Sequence, residues 1–444
     1  MLPLLASSFA ALASPARVAA AVLVPLVAAG CASYPERTRD AFHAFQGGHF
    51  DSAASAYADP DTTGSDFLSG AEAGTAALCD GDWDGALEHF HRASRSVEDL
   101  EGRALVSASS LAETIGSWAL NDTALPYRGE GFERVYVHCA LAMAYLARGL
   151  FDDVWVEVQL ANKLLESEEE LYETEYRAGG LGHFLSALAY EMSGRLDDAY
   201  IDYRRMVDKG VGTELAGRAL VRISEDLGWS EDLERWEADY GPPTPRPLGA
   251  ASIVVLGGVG TGPFKVEASF PVPTPDGVIP FSAAGYERRG QPVSGLRLRL
   301  GADTTVRTDV LEHVSDIAEE NLEDRVLWMA AKSVARGVVK RELTKSLQNE
   351  FDLAGRIAGD LFAVMTERAD LRAWQTLPDS WQAARMFVAP GVHDLRLEAI
   401  GGDEVHLGAF QLEEGETMIL LARTVETRLY AHAIGGLPVD APIP

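Results

Sequence analysis

Four glycines, Gly257, Gly258, Gly260 and Gly262, follow a short apolar run from Ser252 to Leu256. Glycines after a strand are where backbone amides can cradle a phosphate. Here the spacing departs from the dinucleotide fingerprint. Pro263 and an alternating strand stand where a helix would have to open, so the glycines read as a hairpin or wide loop. The sequence has no Gly-x-Ser-x-Gly elbow and no His-Glu-x-x-His helix. His89 and His91 are two apart on a predicted helix, so they point different ways and make a poor metal pair. With 67 acidic residues against 38 basic ones, carboxylate pairs are too common to single out a catalytic one. The expectation is a protein without catalysis, cofactor or metal site. The net charge of −29 also excludes a general nucleic-acid role, because phosphate contacts require a basic face.

The remaining reactive group is a thiol near the start. Arg17 precedes a 13-residue apolar run, 18–30, and Cys31 follows it. The run is too short to span a bilayer, which takes about 20 residues. A positive flank, a short apolar core and small residues before the cut describe a secretory signal. Ala28-Ala29-Gly30-Cys31 resembles a bacterial lipobox, although Ala28 stands where Leu is commoner. The resemblance implies cleavage before Cys31, lipidation of its thiol and acylation of the new amine. Two or more acyl chains suffice for stable attachment. Ala32 rather than Asp at the next position implies, by the same resemblance, an outer-membrane lipoprotein facing the periplasm. Cys79 and Cys139 would then share an oxidising compartment, where a disulfide is allowed. Two helix-borne cysteines read more simply as buried small hydrophobes.

Elements that would carry such a protein are legible in the first half. Gly81, Trp83, Ala86, Phe90 and Ala93 form a frame that recurs at Gly149, Phe151, Val154, Val158 and Ala161. It appears again at Gly194, Leu196, Ala199, Tyr203 and Met206, and more weakly at Gly48, Phe50, Ala53 and Tyr57. The frame resembles the tetratricopeptide repeat. Small residues let paired helices approach, and stacking buries faces that a single hairpin cannot. A degenerate copy is expected near Gly116, and a loop carrying Glu166 to Glu170 between the later frames. By that resemblance the concave face is lined by Leu68, Ala71, Thr75 and Leu78, by Tyr136, Cys139, Met143 and Leu146, and by Leu181, Phe184, Leu188 and Glu191. It is largely apolar. Either it holds an apolar partner segment, with Tyr136, Met143, Leu181, Phe184 and Leu188 as the groove residues, or the rest of the chain covers it.

Gly241-Pro242-Pro243-Thr244-Pro245-Arg246-Pro247 is an extended breaker and the expected domain boundary. Residues 31–240 hold 40 acids and 17 bases; residues 241–444 hold 27 acids and 20 bases. Beyond the boundary, short strands are expected at 252–256, 264–270, 296–300, 395–398, 405–412 and 417–428. A long helix is expected over about 309–368, with Asp309 and Glu312 as a capping box and Val310, Val314 and Ile317 in its apolar stripe. It carries the basic cluster Arg325, Lys332, Arg336, Lys340, Arg341 and Lys345. Lys332, Arg336 and Lys340 share a face, which reads either as a solvated face or as a site for an anionic surface.

Three segments, 135–149, 197–203 and 369–378, together resemble a family of uncharacterised bacterial lipoproteins with tetratricopeptide-like repeats. That family supplies no activity or catalytic residues to carry over. Trp374 and Pro378, in the third segment, are expected to plug helix against sheet, with Arg372 and Arg385 pairing with acids nearby. The expected class is α+β. It comprises a signal peptide (1–30), a helical-hairpin solenoid (31–240), a Pro-rich linker (241–249) and a small β-rich domain (250–308 and 373–444) with an inserted helical segment (309–372). The expected role is a lipid-anchored periplasmic scaffold with an envelope protein partner. A regulator of cell-wall synthesis or envelope assembly is the second reading. An enzyme with a deep polar pocket at the helix–sheet joint, near Arg372, Trp374 and Arg385, is the third.

Overall fold

The computed structural model describes residues 33–107, 126–172, 178–274, 277–301, 304–322 and 370–439. Cys31, the segment 1–30, the site near Gly116 and the basic positions Lys332, Arg336 and Lys340 lie outside the described residues, as does most of the expected long helix.

The architecture is mixed α+β. Twelve described helices precede the strands: α1 (Tyr34–Arg37), α2 (Arg39–Gln46), α3 (Phe50–Tyr57), α4 (Pro60–Thr63), α5 (Asp66–Asp80), α6 (Trp83–Ser107), α7 (Gly131–Ala147), α8 (Phe151–Tyr172), α9 (Gly180–Met192), α10 (Leu196–Lys209), α11 (Thr213–Leu227) and α12 (Ser230–Tyr240). Each glycine of the repeat frames turns one helix into the next in the left-handed region: Gly48 at φ 77°, Gly81 at 80°, Gly149 at 69° and Gly194 at 73°. A side chain there would press on its own carbonyl, so glycine ends these helices with little strain. Gly74 and Gly70 of α5 serve packing instead. A Cβ at Gly74 would sit 2.7 Å from the Phe90 ring, and one at Gly70 would sit 2.5 Å from the His89 carbonyl.

Two details of the helical half differ from the sequence reading. Glu166 to Glu170 lie on the last turns of the long helix α8, not in a loop. The pair α11–α12 is an additional hairpin, turned by Gly228 at φ 70°. Gly228 follows Gly194 by 34 residues, a spacing that could have revealed it.

After the connection 241–250 come β1 (Ala251–Val259), β2 (Phe264–Thr274), β3 (Gly277–Glu287), β4 (Leu296–Leu300), β5 (Thr304–Arg307), β6 (Asp309–His313), β7 (Ser380–Val388), β8 (Gly391–Ala399), β9 (Glu404–Leu412), β10 (Thr417–Val425), β11 (Arg428–Ile434) and β12 (Leu437–Val439). One sheet has the order β11-β10-β1-β7-β6, a second β12-β9-β8-β4-β5, and β2-β3 form a separate hairpin. β1 runs parallel to β10 and antiparallel to β7.

Every residue of β1 is buried, because both faces of its sheet are covered. Val254 and Leu256 face the helices, together with Ile419, Leu421, Trp381 and Ala383. Ile253 and Val255 face the second sheet, against Leu296, Leu298, Leu395, Leu397 and Leu412. The described residues therefore form three layers: helices, first sheet, second sheet.

Asp309–His313 is an edge strand rather than the start of a helix. The helix begins at residue 314, so Asp309 and Glu312 form no capping box. Pairing with β7 overrides the local capping pattern. The disulfide alternative is also corrected: Cys79 and Cys139 are both free and buried.

Candidate functional site

The helical concave face is the floor of the joint between helices and first sheet. Tyr136, Met143, Leu181, Phe184 and Leu188 are all buried, none more than 4% exposed. As an open partner groove this set is corrected: the chain's own sheet, with Val254, Leu256, Ile419 and Leu421, occupies the face. An apolar concave surface of this size could not stay open to water without a large free-energy cost.

A short arm, Asp370–Asp379, threads the joint, and carboxylates from the helices hold it. Glu72 on α5 is fully buried. It accepts from the backbone N–H of Gln375 (2.7 Å) and Thr376 (3.1 Å), from the Thr376 hydroxyl (2.6 Å) and from the Tyr34 hydroxyl (2.8 Å). Glu133 on α7, also buried, accepts from the Trp374 N–H (2.7 Å), the Tyr127 hydroxyl (2.7 Å) and the Glu130 N–H (2.9 Å). Trp374 Nε1 donates to Thr75 and Thr376 (3.0 and 3.1 Å), and its ring lies 6.0 Å from that of Phe90.

Burial pushes the Glu72 carboxyl up to about 7, despite the hydrogen bonds that oppose the shift. Burial likewise raises Glu133, against the opposing pull of Lys265. Lys265 forms a buried ion pair with Glu130. On the far side of the joint, Glu312 of β6 accepts from the Gly180 N–H that opens α9 (2.9 Å), and burial raises its carboxyl.

Arg372 and Arg385 pair with acids as expected. Arg372 clamps Asp370 (2.7 Å). Arg385 of β7 and Arg222 of α11 hold the two oxygens of Glu191 (2.6 and 2.7 Å), and Tyr203 donates to it as well (2.6 Å). Burial favours the neutral form of Glu191, but the two arginines and Tyr203 outweigh it and hold the carboxyl at about 2.

The glycine-rich turn after β1 has the opposite polarity to a phosphate cradle. Arg423 Nη1 donates to the carbonyls of Gly258, Gly260 and Thr424, and Nη2 to that of Thr376 (3.0 Å). Carbonyls converge here on a buried cation. Burial lowers the Arg423 guanidinium to about 10, with Cys79 opposing. At Gly257 a Cβ would sit 2.4 Å from the Leu296 Cδ1 methyl of the second sheet, so any larger residue would have to displace that side chain.

The joint retains a cavity of about 40 Å³, lined mainly by apolar groups including Met143, Leu256, Trp374, Leu377 and Leu421. Ligand sites run from about 300 Å³ upward, so this one has room for a few waters at most. Arg372 and Arg385 do not line it. This cavity, which Trp374 does line, is not the deep polar pocket expected of the enzyme reading. His91 is engaged by the Tyr145 hydroxyl (2.7 Å), and the described residues contain no His, Cys, Asp and Glu cluster able to hold a metal ion.

Glu72 and Glu133 are not among the residues the sequence singles out, and Glu312 is singled out there only as a helix cap. The signal was present: Glu72 is the single charge between Phe67 and Cys79, a helix otherwise made of small and apolar residues. A lone acid on such a helix must meet donors from another element.

No protein-family model and no curated protein matches this chain. One solved structure with similarity to it is the crystal structure of PilW, a widely conserved type IV pilus biogenesis factor, at 13% identity and a TM-score of 0.25, covering 46% of this chain and 91% of that chain. A likeness at that score carries no argument about this protein.

Proposed function

We propose that the chain is a non-catalytic scaffold of the bacterial cell envelope, tethered through acylated Cys31 at the outer membrane and facing the periplasm. The helical half braces the β-sandwich, and an envelope protein partner binds the assembled molecule on its outer surfaces. The observation that supports this reading best is the lipobox-like run ending at Cys31, two residues before Ser33, the N-cap of the first described helix. The filled concave face supports the bracing role: helices that stack to form a peptide groove are here committed to one fixed cis contact.

The test has two parts. Mass spectrometry of the membrane fraction should find the mature chain beginning at Cys31 with its acyl groups, and Cys31→Ser should release the protein to the soluble fraction. Chemical crosslinking in intact cells, followed by purification from detergent, should then yield a defined partner. An unmodified cysteine removes the tether. A chain that elutes alone after crosslinking removes the scaffold.

A further inference from the structure

The β2–β3 hairpin stands apart from both sheets. Its strands pair only with each other, and no other described element packs extensively along them. Eleven residues per strand give a reach of about 35 Å. Among the described residues, a hairpin of this length has little to hold it in water. Its base is firmly fixed. Lys265 is buried against Glu130, and the Arg289 guanidinium lies 4.7 Å from the Phe42 ring and 4.8 Å from the Phe264 ring. Arg289 also donates to the Gly262 carbonyl (2.7 Å).

The sequence beyond that base is apolar. Between Glu267 and Glu287 there is one charge, Asp276. Phe270 pairs with Phe281, Val272 with Ile279 and Pro271 with Pro280. A Pro–Pro pair has no N–H to exchange. It must occupy a non-hydrogen-bonded position, where backbone groups point outward from the ladder. Parity places Ser269–Ser282 and Pro273–Val278 in the same class. Three of these six outward positions are proline and lack a donor. Edges so depleted are poor templates for an added strand, which argues against a protein partner that joins by β-addition. The same depletion leaves fewer donors to strip of water, while the outward carbonyls that remain confine the hairpin to interfacial depth, because open sheet edges do not enter the hydrocarbon core.

The clamp at the base reaches α2, whose Phe42 lies eleven residues after Cys31. Ser33 caps the first described helix, two residues after Cys31, so a lipid at Cys31 holds this end of the molecule close to the bilayer. We propose that the distal part of the β2–β3 hairpin, residues 268–274 and 277–283, inserts into the headgroup and upper acyl region of the lipid bilayer to which the chain is anchored. The inference rests on the tether reading. Insertion adds a second apolar attachment and restrains the chain's orientation on the membrane.

The experiment places a fluorophore at Ser269→Cys on the full-length acylated chain. The protein is reconstituted in vesicles of phosphatidylcholine and phosphatidylethanolamine, uncharged because the net charge of −29 repels anionic lipid. Brominated acyl chains should quench this label at least about twofold more than one at Glu413→Cys, on an exposed turn of the sandwich. Equal quenching on a chain shown to be acylated overturns the insertion while leaving the tether intact. A label that shifts with protein concentration in the absence of vesicles overturns it in favour of a second copy. As a second arm, the unacylated Cys31→Ser chain should float with the same vesicles at least about tenfold more than its Phe270→Glu/Phe281→Glu counterpart. That arm reads the hairpin even if the native cysteine proves unmodified, and equal flotation overturns the proposal. Because the Glu variants can also unpair the hairpin, the quenching measurement, made with both phenylalanines in place, is the decisive one.

Discussion

Glu72 shows how a single carboxylate organises the joint. It gathers four donors, three of them from the arm, and its burial raises the folded carboxyl to about 7 against an ordinary value of 4.5. Between those values the folded state binds a proton that the unfolded chain does not. Stability from this group therefore rises as pH falls from about 7 to 4.5, over a span of about 3 kcal/mol. Glu133 and Glu312 shift in the same direction, whereas Glu191, held at about 2, contributes stability above 4.5 that is lost as pH falls toward 2. Thermal unfolding followed by circular dichroism between pH 5 and 8 should give a clearly shallower pH dependence for Glu72→Gln than for the native chain. Matching slopes would mean that Glu72 titrates normally. Glu191 presents the opposite case, a buried acid between two arginines. Removing it with Glu191→Ala should cost about 3 to 5 kcal/mol in chemical denaturation, because Arg385 and Arg222 would be left without their shared anion. A loss below about 1 kcal/mol would show that water reaches the pair.

At the scale of elements, the helical hairpins depend on two kinds of glycine, and the two should respond differently to substitution. Gly149 turns at φ 69° with nothing within 4 Å of a new Cβ. Alanine there adds only backbone strain, about 1 kcal/mol. Gly70 has ordinary helical geometry, but its Cβ would collide with the backbone of α6 at 2.5 Å. Helices α5 and α6 must part to admit it, at roughly 1 to 3 kcal/mol, with consequences for the Glu72 bracket on the same helix. Urea unfolding of Gly70→Ala and Gly149→Ala should show the larger loss at Gly70, and the reverse ranking would place the helix contact elsewhere. The edge strand β6 makes a related point. Asp309 and Glu312 have capping-box spacing, yet the segment pairs with β7 and Glu312 directs its carboxylate to the Gly180 N–H. Local propensity lost to a ladder and a buried hydrogen bond that no local window contains.

For the whole molecule, the central sheet ties the layers together. One face of β1 lies in the helical core and the other in the sandwich core. The arm 370–379 donates to helices more than 230 positions earlier in the chain. Neither half can release its apolar face without exposing the other. Thermal or urea unfolding should therefore show one transition, with tryptophan fluorescence and far-ultraviolet circular dichroism coincident. Two separated transitions would establish independent halves. By the same argument, residues 33–240 expressed alone should bind apolar dyes and aggregate.

Much of this molecule is determined by local sequence. Small residues, turn glycines and apolar spacing specify the helical hairpins, because those requirements act within a few residues of one another. Alternation specifies β2, β4 and β8 for the same reason, whereas β3, β5, β6, β7 and β12 are set by the strands they pair with. The sequence also contains the pattern at 18–31 that motivates the tether. Tertiary structure alone decided what meets the concave face. Tyr136 and Phe184 read equally well as groove or core, and only the distant strands β1 and β10 resolve the choice. It also decided the fate of Glu72, Glu133 and Glu191. A buried charge is stabilised by donors supplied from far along the chain, and their arrival depends on how the layers close.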